Sequence, residues 1–168
     1  MRVLGVDPGL TRCGLAIVDK APGRKVILKS VMVFRTPATD ALADRLLQLD
    51  NALKEIIKEY KPDVVAVEQV FSQHNLKSVM GTAQAAGLAM VNGARSGCQV
   101  FTYTPTQVKA SVTGSGKADK RQIGRMIAKI CGLSSPPEPA DASDAVALAI
   151  CHLWRGGADE KIRKRAVS

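Results

Sequence analysis

Four carboxylates in this 168-residue chain stand where chemistry could be done with them. Asp7 ends the apolar run Val3-Leu4-Gly5-Val6 and precedes the turn Pro8-Gly9, while Glu68 ends a second run, Val64-Val65-Ala66-Val67. Asp141 and Asp144 are three apart among small neighbours, Ala140, Ala142, Ala145 and Ala147, a spacing that puts both on one face of a helix. Taken singly, acids in a first helical turn merely complement the helix dipole, worth about 0.3–1 kcal/mol each. Taken together they conflict, because two carboxylates about 4 Å apart repel by roughly 4 kcal/mol even at an effective dielectric of about 20. Divalent cations resolve the conflict, and hard, all-oxygen donors favour Mg²⁺ or Mn²⁺ over Zn²⁺. Two such ions about 4 Å apart are the arrangement used for in-line phosphoryl displacement, one activating a water and the other stabilising the leaving oxygen.

The elements that must position these acids follow from periodicity. The first run reads as a buried strand, Arg12 or Cys13 to Asp19 as a second, and Val26 to Phe34 as a third, joined by short turns into an antiparallel meander. From Thr39 or Asp40 to Tyr60, apolar residues recur at alternating intervals of four and three, the mark of an amphipathic helix, which Lys61-Pro62 stops. If that helix is a right-handed crossover, the strand ending at Glu68 lies parallel to the first, and Glu68 neighbours Asp7. Leu76 to Ala94 predicts a closely packed Ala- and Gly-rich helix, in which tight contact must offset the weak propensity of Gly81 and Gly87. Val100 to Tyr103 reads as a fifth strand and Pro105 to Gly114 as a short helix. Lys120 to Cys131 reads as a helix capped by Asp119 and closed by Gly132, and Ala140 to Trp154 as the last. The expected architecture is α/β, a five-stranded mixed sheet flanked by helices. One domain, 1–157, is followed by a basic tail, 158–168, expected to be disordered.

Composition limits the partners. The net charge is +9, and the residues from Arg155 onward carry only +3 of it, so the body itself is basic. Nucleic acid is the default partner of such a surface. There is no apolar run of membrane-spanning length and no secretory leader pattern, so a soluble, cytoplasmic protein is expected. The four cysteines form no C-x-x-C pair and stand at no zinc-finger spacing from His74 or His152, and they read as reduced thiols.

Four segments, Leu4-Gly5-Val6-Asp7-Pro8-Gly9, Val67-Glu68-Gln69-Val70-Phe71, Gln107-Val108-Lys109 and Asp141-Ala142-Ser143-Asp144-Ala145-Val146-Ala147, resemble in order and spacing the RuvC family of Holliday-junction resolvases. The resemblance reaches nearly to Trp154. It implies a ribonuclease H-like fold and a homodimer that resolves four-way DNA junctions by symmetric, metal-dependent hydrolysis. It also implies that Asp7, Glu68, Asp141 and Asp144 are the catalytic metal ligands. Some relatives carry histidine at the position of Asp144. The branch-migration proteins RuvA and RuvB are the partners the family suggests.

Outside the acids, Phe71 stands in a polar loop three residues past Glu68. It either staples the next helix or stacks on bases at a branch point, as its family counterpart does. Lys109, Lys117, Lys120 and Arg121 are the expected DNA-binding cations. The resemblance sets Lys109 and Lys120 near the scissile phosphate. Arg125 and Lys129 complete a basic outer face on the helix whose Ile123, Ile127 and Ile130 turn inward. Three rivals remain at this point, the most serious a nuclease of the same fold acting on RNA or on other branched DNA, substrates that composition does not separate. Asp7-Pro8-Gly9-Leu10-Thr11 also fits the D-x-G-x-T phosphate loop of actin-like ATPases and sugar kinases, although the chain is long enough for only one of their two lobes. A DNA-binding module without catalysis would gain nothing from four convergent acids.

Overall fold

In the computed structural model, the backbone is described for residues 1–69 and 76–166, and the side chains for 1–69 and 79–156. Ten elements follow in order: β1 (Arg2–Asp7), β2 (Arg12–Lys20), β3 (Val26–Arg35), α1 (Leu42–Tyr60), β4 (Val64–Glu68), α2 (Leu76–Arg95), β5 (Gln99–Tyr103), α3 (Pro105–Thr113), α4 (Lys120–Cys131) and α5 (Ala140–Ala166). The five strands form one sheet in the order β3-β2-β1-β4-β5. The meander β1-β2-β3 is antiparallel, whereas β4 runs parallel to both β1 and β5. None of the described helices is long and apolar enough to cross a membrane.

Strand alternation divides the core in two. Leu4, Val6, Leu15, Ile17, Val65 and Val67 point to the face covered by α1 and α2, with Leu49, Leu53, Ile56 and Ile57 of α1 packed among them. Val3, Ala16, Val18, Val64, Ala66 and Tyr103 point to the opposite face, which α3, α4 and α5 cover. Since side chains two apart share a face, Asp7 follows Val3 and Gly5, and Glu68 follows Val64 and Ala66, onto the α5 side.

Small residues decide how near α5 comes. On its face of the sheet the central positions are Gly5, Gly14, Ala16 and Ala66, and the helix answers with Ala142, Ala145 and Ala149, all buried. A Cβ added at Gly5 would fall on the carbonyl oxygen of Ala145 and stand 2.9 Å from the amide nitrogen of Ala149. One added at Gly14 would fall on the carbonyl oxygen of Asp141. Gly14 is the register partner of Asp7. The position across the strand from one acid is therefore the seat of the helical turn that carries another.

The caps follow the local sequence. Thr104 and Asp119 each form a capping box, with Gln107 and Gln122, and Gly114 and Gly132 close α3 and α4 with positive φ. Two expectations are corrected. The first helix begins at Leu42 rather than Thr39 or Asp40, because Asp40 spends its carboxylate on the side chain of Gln48 instead of capping. The last helix does not stop at Trp154 but runs through Ala166, since Glu160, Lys161, Arg163 and Lys164 are all good helix formers. The expected close contact is met at Gly81, where a Cβ would stand 3.3 Å from Leu10 Cβ, while Gly87 faces open space. The described cysteines are free thiols, as expected.

Gly14→Ala should lower the midpoint of chemical denaturation by the equivalent of about 1–3 kcal/mol, the cost of overpacking a rigid backbone contact. An unchanged midpoint would mean that the helix can retreat from the sheet freely.

Candidate active site

Three separate elements deliver the four carboxylates to one edge of the sheet. β1 and β4 are parallel neighbours whose last paired rung is Val6 with Val67, so Asp7 and Glu68 stand side by side one residue beyond it. α5 brings its first turn to the same edge through the glycine contacts. Its entry is fixed by the Ser143 hydroxyl, which donates to the carbonyl of Pro137 at 2.7 Å, and by the Ala142 amide, which donates to that of Pro139 at 2.9 Å. β5 holds the far side of β4, since the Gln69 amide donates to the carbonyl of Tyr103 at 2.8 Å.

The electrostatics follow from this packing. Asp7 is pushed up to about 8, first by loss of water and then by the charges of Glu68, Asp144 and Asp141, against a weaker opposing pull from Lys120. Glu68 is raised for the same reasons, burial first and then Asp144, with Lys120 and Lys109 acting in the other direction. Lys120 is held above the usual lysine range chiefly by Asp144, which its Nζ meets at 3.2 Å. That lysine side chain is 72% exposed against 23% for the aspartate, so the pair adds little stability and its value lies in where it puts a cation.

Arg12, at the start of β2, ion-pairs through Nη2 with Oδ2 of Asp141. The contact is one of charge, not an aligned hydrogen bond, because Asp141 Oδ2 is buried with no hydrogen-bonding partner. Among the described residues, no three His, Cys, Asp or Glu side chains are already drawn together as a chelate. The donor set still fits a hard divalent cation: four carboxylates, one buried oxygen that accepts no aligned hydrogen bond, and one acid that burial and its neighbours keep from ionising.

Each candidate residue can now be placed. Asp7, Glu68, Asp141 and Asp144 share one sheet edge, where Asp7 feels the charge of the other three. Lys109 and Lys120 lie within electrostatic reach of Glu68. Arg121 borders, with Lys120 and Arg125, an open cleft of about 380 Å³ between α4 and Pro136–Ser143 that ends at Asp144. Lys117 is exposed on the α3–α4 loop, where its backbone amide is held by Ser115 Oγ at 3.3 Å. Phe71 lies outside the described residues. Sequence reasoning missed Arg12, and its only signal there is a basic residue immediately after the turn that follows Asp7.

With this geometry in hand, comparisons identify relatives. A family model described as crossover junction endodeoxyribonuclease RuvC matches residues 3–152. The chain is 57% identical to the crossover junction endodeoxyribonuclease RuvC of Salinispora arenicola, over 99% of this chain and 95% of that one. The solved structure of Thermus thermophilus RuvC in complex with Holliday junction substrate is similar with a TM-score of 0.89 at 30% identity, covering 95% of this chain and 96% of that one. The yeast mitochondrial Holliday junction resolvase Ydc2 shares the fold, with a TM-score of 0.69 at 15% identity over 95% of this chain and 80% of its own. The ribonuclease H-like architecture expected from the sequence is thus the observed one.

The buried acid predicts a stability signature. Folded Asp7 holds its proton up to about pH 8, whereas an unfolded aspartate releases it near pH 4. The native state therefore binds the extra proton, and the stability of metal-free protein should fall as pH rises through that window. In chelator, Asp7→Asn should unfold at higher temperature than the parent at pH 9, by the equivalent of a few kcal/mol, and about equally at pH 4. Parallel pH profiles for the two proteins would refute the assignment.

Proposed function

The chain belongs to the RuvC family of crossover junction endodeoxyribonucleases, and from that membership we propose that it resolves four-way DNA junctions with Asp7, Glu68, Asp141 and Asp144 as its catalytic metal ligands. Nucleases of this family are metal-dependent, and the all-oxygen donor set favours Mg²⁺ or Mn²⁺, two ions per site. The observation that carries the reading is the convergence of four acids from β1, β4 and α5 on one partly buried edge, with Asp7 held near 8. Without cations such a cluster costs free energy and offers nothing in return.

Bound divalent ions would supply Lewis-acid charge to the phosphodiester and lower the pKa of an attacking water. The protein's part is positioning and proton control. Asp7 and Glu68 sit at strand ends, where the sheet fixes their direction, and Asp141 and Asp144 ride on a helix that cannot slide because its backbone is seated on Gly5 and Gly14. Asp7 would hold a divalent ion as its carboxylate, releasing the proton that burial and its neighbours retain in the metal-free protein. Lys120, kept protonated by Asp144, brings a positive charge to the same edge, suited to the developing charge on the phosphate. Lys109 lies on the Glu68 side, and Lys117 and Arg121 extend the basic surface away from the acids as sequence-independent backbone contacts. Phe71 is assigned to stacking on bases at the branch point.

A junction is two-fold symmetric and resolution takes two cuts, so the working unit is a homodimer with one site per strand. The exposed Met80, Met90 and Val91 of α2 support that helix as the face that pairs. RuvA and RuvB are the assigned branch-migration partners, the compartment is the cytoplasm, and the basic segment 158–168 adds a weak contact to DNA.

Labelled four-way junction, linear duplex and RNA–DNA hybrid, each in Mg²⁺ or chelator, test the reading. The junction should be cut in Mg²⁺ only, and Asp7→Asn should slow cutting at least about a hundredfold, the equivalent of about 3 kcal/mol or more of lost charge stabilisation. Equal binding of junction and duplex, or an active mutant, defeats it. Phe71→Ala should cut poorly while keeping its ion affinity, whereas unchanged cutting would return Phe71 to a packing role.

A further inference from the structure

Both acids of α5 already have cations, and these come from opposite sides. Lys120 reaches Asp144 from α4, and Arg12 reaches Asp141 from the start of β2. Asp7 and Glu68, at the strand tips, have neither hydrogen bond nor ion pair of this kind among the described residues. The Arg12 side chain is 42% exposed, so its guanidinium is free to leave, and the oxygen it neutralises accepts no hydrogen bond that would have to be broken. Beyond Arg12 the surface opens into a groove of about 310 Å³ bordered by Gly9, Thr11, Arg45 and Gly81. Its wall is built in advance. Arg45, from α1, donates from Nε to Thr36 Oγ1 at 2.9 Å and from Nη2 to Thr11 Oγ1 at 2.6 Å, while Thr36 Oγ1 donates to the carbonyl of Leu10 at 2.6 Å. These bonds hold the turn after Asp7 in place and set two guanidinium groups beside one groove.

We propose that Arg12 is an exchangeable counter-ion: it neutralises Asp141 in the metal-free protein, yields that oxygen to a divalent cation, and then binds a DNA backbone phosphate in the groove beside Arg45. The groove is a second backbone track, on the side of the acids away from α4, and it rests on the reading of the four acids as an ion site. A guanidinium suits both partners, because its planar donors match carboxylate and phosphate alike. The exchange also keeps α5 docked before the ions arrive, since an unneutralised Asp141 would add to the repulsion that already raises Asp7.

Calorimetric titration of the full-length protein with Mn²⁺, and junction binding measured in chelator and in Ca²⁺ over a range of salt, test the exchange. Arg12→Gln should bind Mn²⁺ more tightly than the parent, because the competing cation is gone. It should bind the junction as the parent does in chelator, but about fivefold more weakly in Ca²⁺, with a salt slope smaller by about one counter-ion. Arg12→Lys should restore the slope. An equal loss of DNA affinity with and without Ca²⁺ would make Arg12 an ordinary surface cation, and unchanged Mn²⁺ affinity would show that it does not compete; either result overturns the proposal. Absence of Mn²⁺ binding by the parent would instead remove the ion site itself, and this inference with it.

Discussion

Mutual repulsion of four carboxylates at a partly buried sheet edge is the constraint on which the rest of the molecule depends. Water that would screen those charges is excluded by the same packing that brings them together, so Asp7 is driven up to about 8 and Glu68 is raised with it. A fold that only needed stability would place apolar or neutral residues there. Here the instability is local, and the surrounding structure holds it in place through two continuous apolar layers, one on each face of the sheet. The site is thus poised for a multivalent cation, and its chemistry follows from the cost of having none.

Holding the acids in place requires an unusually close approach of helix to sheet. Gly5 and Gly14 remove side chains from the sheet where α5 crosses it, and Ala142, Ala145 and Ala149 remove bulk from the helix. Small residues bury little area each, so this interface is weaker per residue than a Leu-rich one. In exchange, the backbone of α5 rests on the backbone of β1 and β2, and its first turn has little room to shift. The larger side chains that provide burial lie elsewhere, in Leu4, Leu15, Ile17, Leu49 and Leu53 on the opposite face and in Ile127, Leu148 and Ile150 beneath α4 and α5. Stability and precision are thereby assigned to different residues.

Cations frame the acids rather than cancel them. Lys120 and Arg12 each neutralise one α5 acid from an exposed position, leaving the strand-tip pair unmatched. Exposed ion pairs contribute little to stability and are readily exchanged, as the exchange proposed for Arg12 requires. The net positive charge of the body extends this arrangement outward as a general attraction for polyanions. On the proposed reading, the acidic centre supplies the chemistry and the basic surround the affinity for the substrate.

Much of this was legible in the residues alone. Strand periodicity, the proline and glycine stops and the capping pairs determined the order of elements, and the carboxylates ending two similar apolar runs identified Asp7 and Glu68 before any coordinates. The three-residue spacing of Asp141 and Asp144 put them on one helical face, and the family pattern linked all four. The sequence could not show Arg12 as the partner of Asp141, since that pairing joins residues distant in the chain through the register of β2 against β1 and the seating of α5. Nor could it show that α5 continues past Trp154, because a charged segment of good helix formers reads alike as helix or tail. Local rules depend on neighbours in the chain and are written there. The depth of burial that raises Asp7, the pairing of Asp141 with Arg12 and the prepared groove beside Arg45 arise from distant segments excluding water together, which only the tertiary structure decides.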